Sequence, residues 1–172
     1  MHFRIIPILL ISFLAACAQP SKFENMVVYS SSALVVPDNA KNSIAVKYVT
    51  GGDKTNPLWT SQVDAQTFKS ALINSLANLG LLSRGGDEDI TVSAHVHDLI
   101  QPLVGLSFSV TSIVSYTVET SSKRKVFNVT AIGTATMGDA FVGITRLRIA
   151  NEKSIQNNIE SFTVSLVDFL SQ

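Results

Sequence analysis

The sequence predicts an α+β domain, with two helices packed on one face of a four-stranded, largely antiparallel sheet in the order β-α-β-β-β-α. Three observations predict it. Apolar residues recur at three- and four-residue spacing in two stretches, from Val63 to Leu79 and from Leu147 to Phe169. They alternate with polar residues in three consecutive stretches between those two. Clusters of Gly, Pro, Asn, Asp and Ser punctuate the boundaries.

Ser43 to Thr50 reads as the first strand, and Gly51-Gly52-Asp53 ends it. Asn56-Pro57-Leu58-Trp59 makes a stiff approach to a helix that Thr60 or Ser61 can cap. Phe68, Leu72, Leu76 and Leu79 define one face of that helix, expected over residues 61–80. Gly80 then stops it, and Leu81 folds back on the last turn. After a polar loop, Ile90, Val92, Ala94 and Val96 alternate with Thr91, Ser93, His95 and His97, and Pro102 ends or bends the strand. Phe108, Val110, Val114, Tyr116 and Val118 share one side of the next strand, and Thr120-Ser121-Ser122-Lys123 is a turn. Phe127, Val129, Ala131 and Ala135 mark the fourth. The last helix spans residues 144–170, its apolar stripe including Leu147, Ile155, Ile159, Phe162 and Leu166. Asn151, Glu152, Lys153, Gln156 and Glu160 are expected on its wet side. Half-buried antiparallel strands carry this alternation when helices cover one face. The spatial order of the strands stays open, because the helix between the first two permits a split β-α-β pairing.

Ahead of this domain (residues 43–172) lie two further segments. Residues 1–16 have the three parts of an export signal: Arg4 in a short positive start, an apolar run from Ile5 to Phe13, and the small residues Ala15 and Ala16 before the cut. That run is shorter than the roughly 20 residues needed to span a bilayer. Leu14-Ala15-Ala16-Cys17 resembles the bacterial lipobox. The resemblance implies cleavage between Ala16 and Cys17, a diacylglycerol on the Cys17 thiol and usually an N-acyl chain on its amine. Two or more acyl chains hold a protein firmly on a membrane, where one holds marginally. Cys17 is the only cysteine, so a disulfide within one chain is excluded. The next residue is Ala18; enterobacterial lipoproteins kept in the inner membrane carry Asp there, so Ala18 resembles the outer-membrane class. Residues 17–42 form a lead-in, of which residues 18–42 could reach at most about 80–90 Å if extended. Its apolar stretches around Met26-Val27-Val28 and Leu34-Val35-Val36 argue that part of it lies on the domain or pairs at a sheet edge.

Beyond Cys17 the chain has 12 basic and 13 acidic residues, 13 − 1 and 13 − 0 after setting aside Arg4, for a net charge of −1. Such a surface has no electrostatic footprint for nucleic acid. His95 and His97 lie two apart on one strand face, the spacing of a weak metal candidate, but Asp98 is expected on the opposite face and no thiolate is present to complete a set. No metal or other cofactor is expected apart from the covalent lipid. Arg146 and Arg148, at the start of the last helix, could grip an anionic headgroup or a partner's carboxylate; Arg148 could instead pair with Glu152 one turn on. Cations there oppose the helix dipole, which argues for a compensating partner. Trp59 is either an anchor for a partner or a staple at the first helix. Gly51-Gly52-Asp53 lacks the spacing and lysine of a phosphate loop, and no serine sits in a glycine-framed elbow.

Asn56-Pro57-Leu58-Trp59, Phe68-Lys69-Ser70-Ala71-Leu72 with Ser75-Leu76, and Asp139-Ala140-Phe141 through Arg146-Leu147-Arg148 resemble a group of uncharacterised proteobacterial lipoproteins over most of residues 43–170. The element order is also similar to that of the lipoprotein that plugs the lipopolysaccharide translocon, and to YajG-like and transport-auxiliary lipoproteins. The resemblance implies a lipid-tethered scaffold at the periplasmic face of the outer membrane that contacts another envelope protein without chemistry of its own. A periplasmic lipid or glycolipid carrier is the alternative, and an enzyme using His95 or His97 is a third reading.

Overall fold

The computed structural model describes residues 18–31, 34–56, 61–85 and 89–172. Within them β1 (Ile44–Gly51), α1 (Ala65–Asn78), β2 (Ile90–Ile100), β3 (Phe108–Thr120), β4 (Arg124–Ala135) and α2 (Gly143–Leu170) follow in the predicted order. The strands lie side by side as β1-β2-β3-β4. β1 runs parallel to β2, and the other two pairs are antiparallel. α1 is the crossover that parallel neighbours require.

The α1 stripe buries Phe68, Leu72 and Leu76. Its cap differs from the expectation: Asp64 accepts from the Thr67 N–H at 2.8 Å. Ser61 does other work, since its buried hydroxyl donates to the Gln19 carbonyl at 2.8 Å. Thr60 lies outside the described residues. At the far end Gly80 adopts φ 70°. Its N–H donates to Ala77 O at 3.1 Å and that of Leu81 to Leu76 O at 2.8 Å, the paired bonds of a Schellman stop. Leu81 is fully buried, as its position predicts.

Between the layers, the Tyr116 ring stacks on Phe162 at 3.8 Å and 3°. Its hydroxyl donates to Asn158 Oδ1 at 2.8 Å, while Asn158 Nδ2 donates to Ser112 Oγ and to the Val129 carbonyl, each at 3.1 Å. Burial pushes the Tyr116 phenol well above its ordinary pKa, so the proton stays where Asn158 needs it. Beside this network α2 rests directly on β4. A Cβ at Gly133 would lie inside the contact radii of Ser154 N, Ala150 O and Lys153 C.

Two strands depart from simple alternation, β1 between Val46 and Val49 and β2 near its histidines. β2 carries an extra residue between Val96 and Asp98, opposite Val114 and Ile113 of β3. The inward pattern resumes at Leu99, leaving His97 and Asp98 both exposed. Asp98 therefore does not turn to the buried face, because the bulge changes the phase of the strand.

The lead-in is laid along the helices and does not extend the sheet. After a short 3-10 turn (Phe23–Met26), Met26, Val27 and Val28 are buried. Lys22 N and Asn25 Nδ2 donate to the two carboxylate oxygens of Glu152 at 2.9 and 2.8 Å. Further along, Gln156 Nε2 donates to Val27 O at 2.8 Å, Val28 N to Ser75 Oγ at 2.9 Å and Asn39 Nδ2 to Leu170 O at 3.0 Å. The segment thus follows the seam between α1 and α2 towards the end of α2. It also overturns the expected wet side of that helix. Asn151 and Glu152 are buried beneath neighbouring chain, and the solvent stripe is Asn157, Ser161, Val164 and Asp168.

Candidate functional site

The described chain begins at one end of the sheet, and its first residues are held there. Ala18 is buried. The side chain of Gln19 accepts from Arg148 Nη1 at 2.9 Å. Arg148 Nε lies 3.7 Å from Glu152 Oε1, both side chains being largely shielded from solvent. This is the pair that the four-residue spacing allowed, now closed over by Gln19 and Lys22. Gln101 Nε2 and Asn151 Nδ2 both donate to Ser61 O, at 2.9 and 2.8 Å, joining the β2–β3 loop to the same cluster. Cys17 and Ala16, the expected lipid-attachment and cleavage residues, lie outside the described residues, as does Trp59.

Arg146 is buried and binds two loops of its own chain. Nη1 donates to the carbonyls of Ala140 at 3.1 Å and Phe141 at 2.9 Å, and Nη2 donates to Gly105 O at 3.3 Å. Its guanidinium also lies over the Phe108 ring at 5.4 Å. The two arginines that could grip an outside anion are thus engaged with carbonyls, Gln19 and a carboxylate of this chain. These partners also supply the compensation that cations at a helix start require. Between the loops and α2 lies an open cleft of about 330 Å³ bordered by Pro102, Leu103, Val104, Phe108, Ile144 and Leu147.

Asp139 ties the β4–α2 loop to the helix. Its carboxylate accepts from Lys153 Nζ at 2.7 Å, from Thr136 N at 2.8 Å and from the Thr136 hydroxyl at 3.0 Å. The Lys153 hydrogen bond, then those from Thr136, hold its pKa down at about 2. A carboxyl with a lower pKa folded than unfolded adds stability above its unfolded value, and that contribution is lost as pH falls through the folded one. We expect the Thr136 amide resonance to follow a titration centred near 2, with the loop loosening between about pH 4 and pH 2. A midpoint near 4 would show that the carboxylate is not held.

His95 and His97 project from the sheet face opposite the helices. Their rings meet edge to face, with centroids 4.6 Å apart. His95 Nδ1 lies 2.8 Å from Thr50 Oγ1, and His97 Nε2 lies 2.6 Å from Ser115 Oγ. Ser115 Oγ donates to Asn128 Oδ1 at 2.7 Å, so His97 Nε2 is the donor to Ser115. In that arrangement the histidine is no base for this serine. Among the described residues, no three His, Cys, Asp or Glu side chains are placed to hold a metal ion. Around the pair the sheet face is open, presenting Ser93, Thr130 and Thr134 with exposed Ile132 and Val126.

Sequence reasoning missed Glu152 as the residue that receives the lead-in, and Gly133 as the contact between α2 and β4. Only the glycine left a signal, since a glycine inside a strand often marks close approach of another backbone.

The sequence matches no protein-family model and no curated protein. Three solved structures align with this chain. A candidate lipoprotein from Caulobacter crescentus CB15 aligns at 11% identity over 76% of this chain and 91% of its own, with a TM-score of 0.48. Protein XCC0632 from Xanthomonas campestris, of the DUF330 family, aligns at 11% identity over 90% and 84%, with a TM-score of 0.48. The hypothetical protein CT253 from Chlamydia trachomatis aligns at 12% identity over 74% and 98%, with a TM-score of 0.50. At 12% identity, the likeness to CT253 is one of fold. Among the described residues, no helix is long and apolar enough to cross a membrane.

Proposed function

We propose that the protein is a lipid-anchored accessory lipoprotein of the bacterial envelope, held at Cys17 on the outer membrane with its domain in the periplasm. In this reading it acts by contact with another envelope protein and has no catalytic residues. The observation that carries the proposal is the division of the domain into two faces. One face of the sheet is covered by helices, and the lead-in from Cys17 is bonded along them at Glu152 and Ser75. The other face is open, rich in hydroxyl side chains and dotted with exposed Val126 and Ile132. A docked lead-in holds that open face at a set distance from the bilayer, the arrangement suited to meeting a membrane-resident partner. The topological likeness to YajG-like and translocon-plugging lipoproteins accords with this reading at the level of element order.

The test is photo-crosslinking in living cells from Ser93, His95 or Thr130 on the open face, with Asn157 on the solvent stripe of α2 as comparison. The expected result is one envelope protein captured from the sheet positions and absent at Asn157. No product from any sheet position, in cells where the lipidated protein is abundant, would count decisively against a partner on this face.

A further inference from the structure

At the end of the sheet where the described chain begins, the β2–β3 and β4–α2 loops expose an apolar cluster. Leu103 is 97% exposed, Val104 85%, Leu106 75%, Phe141 83% and Val142 49%. Solvated loops on a single-domain surface rarely gather such side chains without something to cover them. The two loops are not loose, because Arg146 bonds to carbonyls of both and fixes them against each other. Nor do they carry unpaired charge. Residues 101–107 contain no charged side chain, and residues 136–145 contain only Asp139, which is bonded to Lys153 at 2.7 Å.

We infer that this tip enters the lipid surface to which Cys17 is attached, giving the domain a second, non-covalent hold on the membrane. The inference rests on the lipid-anchor reading above. What selects a bilayer as the occupant is where the chain leads. Gln19 is fastened to Arg148, in the second turn of α2, while the tip lies at the start of that helix, Gly143. Five residues of helix rise about 7.5 Å, and the two residues from Gln19 back to Cys17 span about 7 Å when extended. Acyl chains on Cys17 are therefore within reach of the level of Leu103 and Phe141. An uncharged apolar tip of this kind sits roughly 5–10 Å into the headgroup boundary, as interfacial segments do. Among the described residues, the β3–β4 turn at the opposite end is Ser121-Ser122-Lys123 and carries no apolar side chain.

The experiment uses the full-length lipidated protein in vesicles of phosphatidylethanolamine and phosphatidylglycerol. Acylation converts the sulfur of the only native cysteine to a thioether, so an introduced cysteine is the single free thiol. An environment-sensitive fluorophore is placed at Leu103→Cys or Phe141→Cys, with Ser122→Cys and Thr130→Cys as comparisons; all four positions are exposed, so the fold tolerates the label. The expected result is a blue-shifted emission and several-fold quenching by spin-labelled lipid at 103 and 141, with neither at 122 and 130. Emission at 103 and 141 matching that at 122, on protein that still floats with the vesicles, would overturn the inference and leave the anchor intact. A blue shift without quenching by lipid would also overturn it, since the cover would then be protein: a retained leader, a second copy or a partner. Absence of acyl mass on the N-terminal peptide would overturn the anchor reading, and this inference with it.

Discussion

Gly133→Ala is expected to destabilise the domain by about 3 kcal/mol, at the upper end of what overpacking costs. The added methyl has no flexible side chain to displace. It would meet backbone atoms of Ala150, Lys153 and Ser154, so α2 must move off β4 as a body. That movement would also strain the bonds from Asn158 to Ser112 and Val129, and the Tyr116–Phe162 stack. Against a total stability of roughly 5–15 kcal/mol such a loss is large. It corresponds to a fall in Tm of about 6–12 °C for a chain of this size. Gly138→Ala is the comparison, because a Cβ there meets only Thr136 Oγ1 at 3.4 Å, and it should leave the Tm nearly unchanged. Equal behaviour of the two variants in thermal unfolding would show that α2 does not rest on Gly133.

Glu152→Ala is expected to cost a similar amount, about 3 kcal/mol, by a different route. It removes the acceptor for Lys22 N and Asn25 Nδ2, and leaves Arg148 largely buried without its counter-charge. Glu152→Gln keeps the shape and one acceptor oxygen, so its effect should fall between alanine and the native residue. The signature lies in where protection is lost. Amide exchange should rise first at Lys22, Asn25 and Val28, ahead of the sheet. Uniform loss of protection through β2 and β3 in step with the lead-in would mean that the segment is not held by Glu152.

The two variants mark the limits of what the residues reveal in order. Phe68, Leu72 and Leu76 specify α1 because helix periodicity is local, and Gly80 and Leu81 specify its stop because the Schellman bonds close within one turn. Val110, Val114, Tyr116 and Val118 specify β3 for the same reason. What stayed hidden depends on distant chain. Nothing near Glu152 shows that Lys22 and Asn25 will cover it, so a residue on the polar side of an amphipathic pattern reads as solvated. The bulge at His97 was equally invisible: one extra residue alters the phase only when the partner strand is in view. The Arg148–Glu152 pair is legible from its four-residue spacing, but the acceptors of Arg146 (Ala140, Phe141 and Gly105) and the cover of Arg148 by Gln19 converge only in the folded chain. Among the hidden contacts, that of Gly133 alone could have been suspected from its position inside a strand.

In the proposed reading the position of Cys17 is consequential, since Ala18 and Gln19 next to it are held by the domain. The most direct measurement is the intact mass of the protein extracted from membranes of the organism that makes it, with Cys17→Ser alongside. The expected native chain starts at Cys17 and carries a diacylglycerol and an N-acyl chain, and the expected Cys17→Ser chain keeps residues 1–16 and carries no lipid. A native chain that starts elsewhere, or one that starts at Cys17 with an unmodified thiol, would contradict the proposed reading.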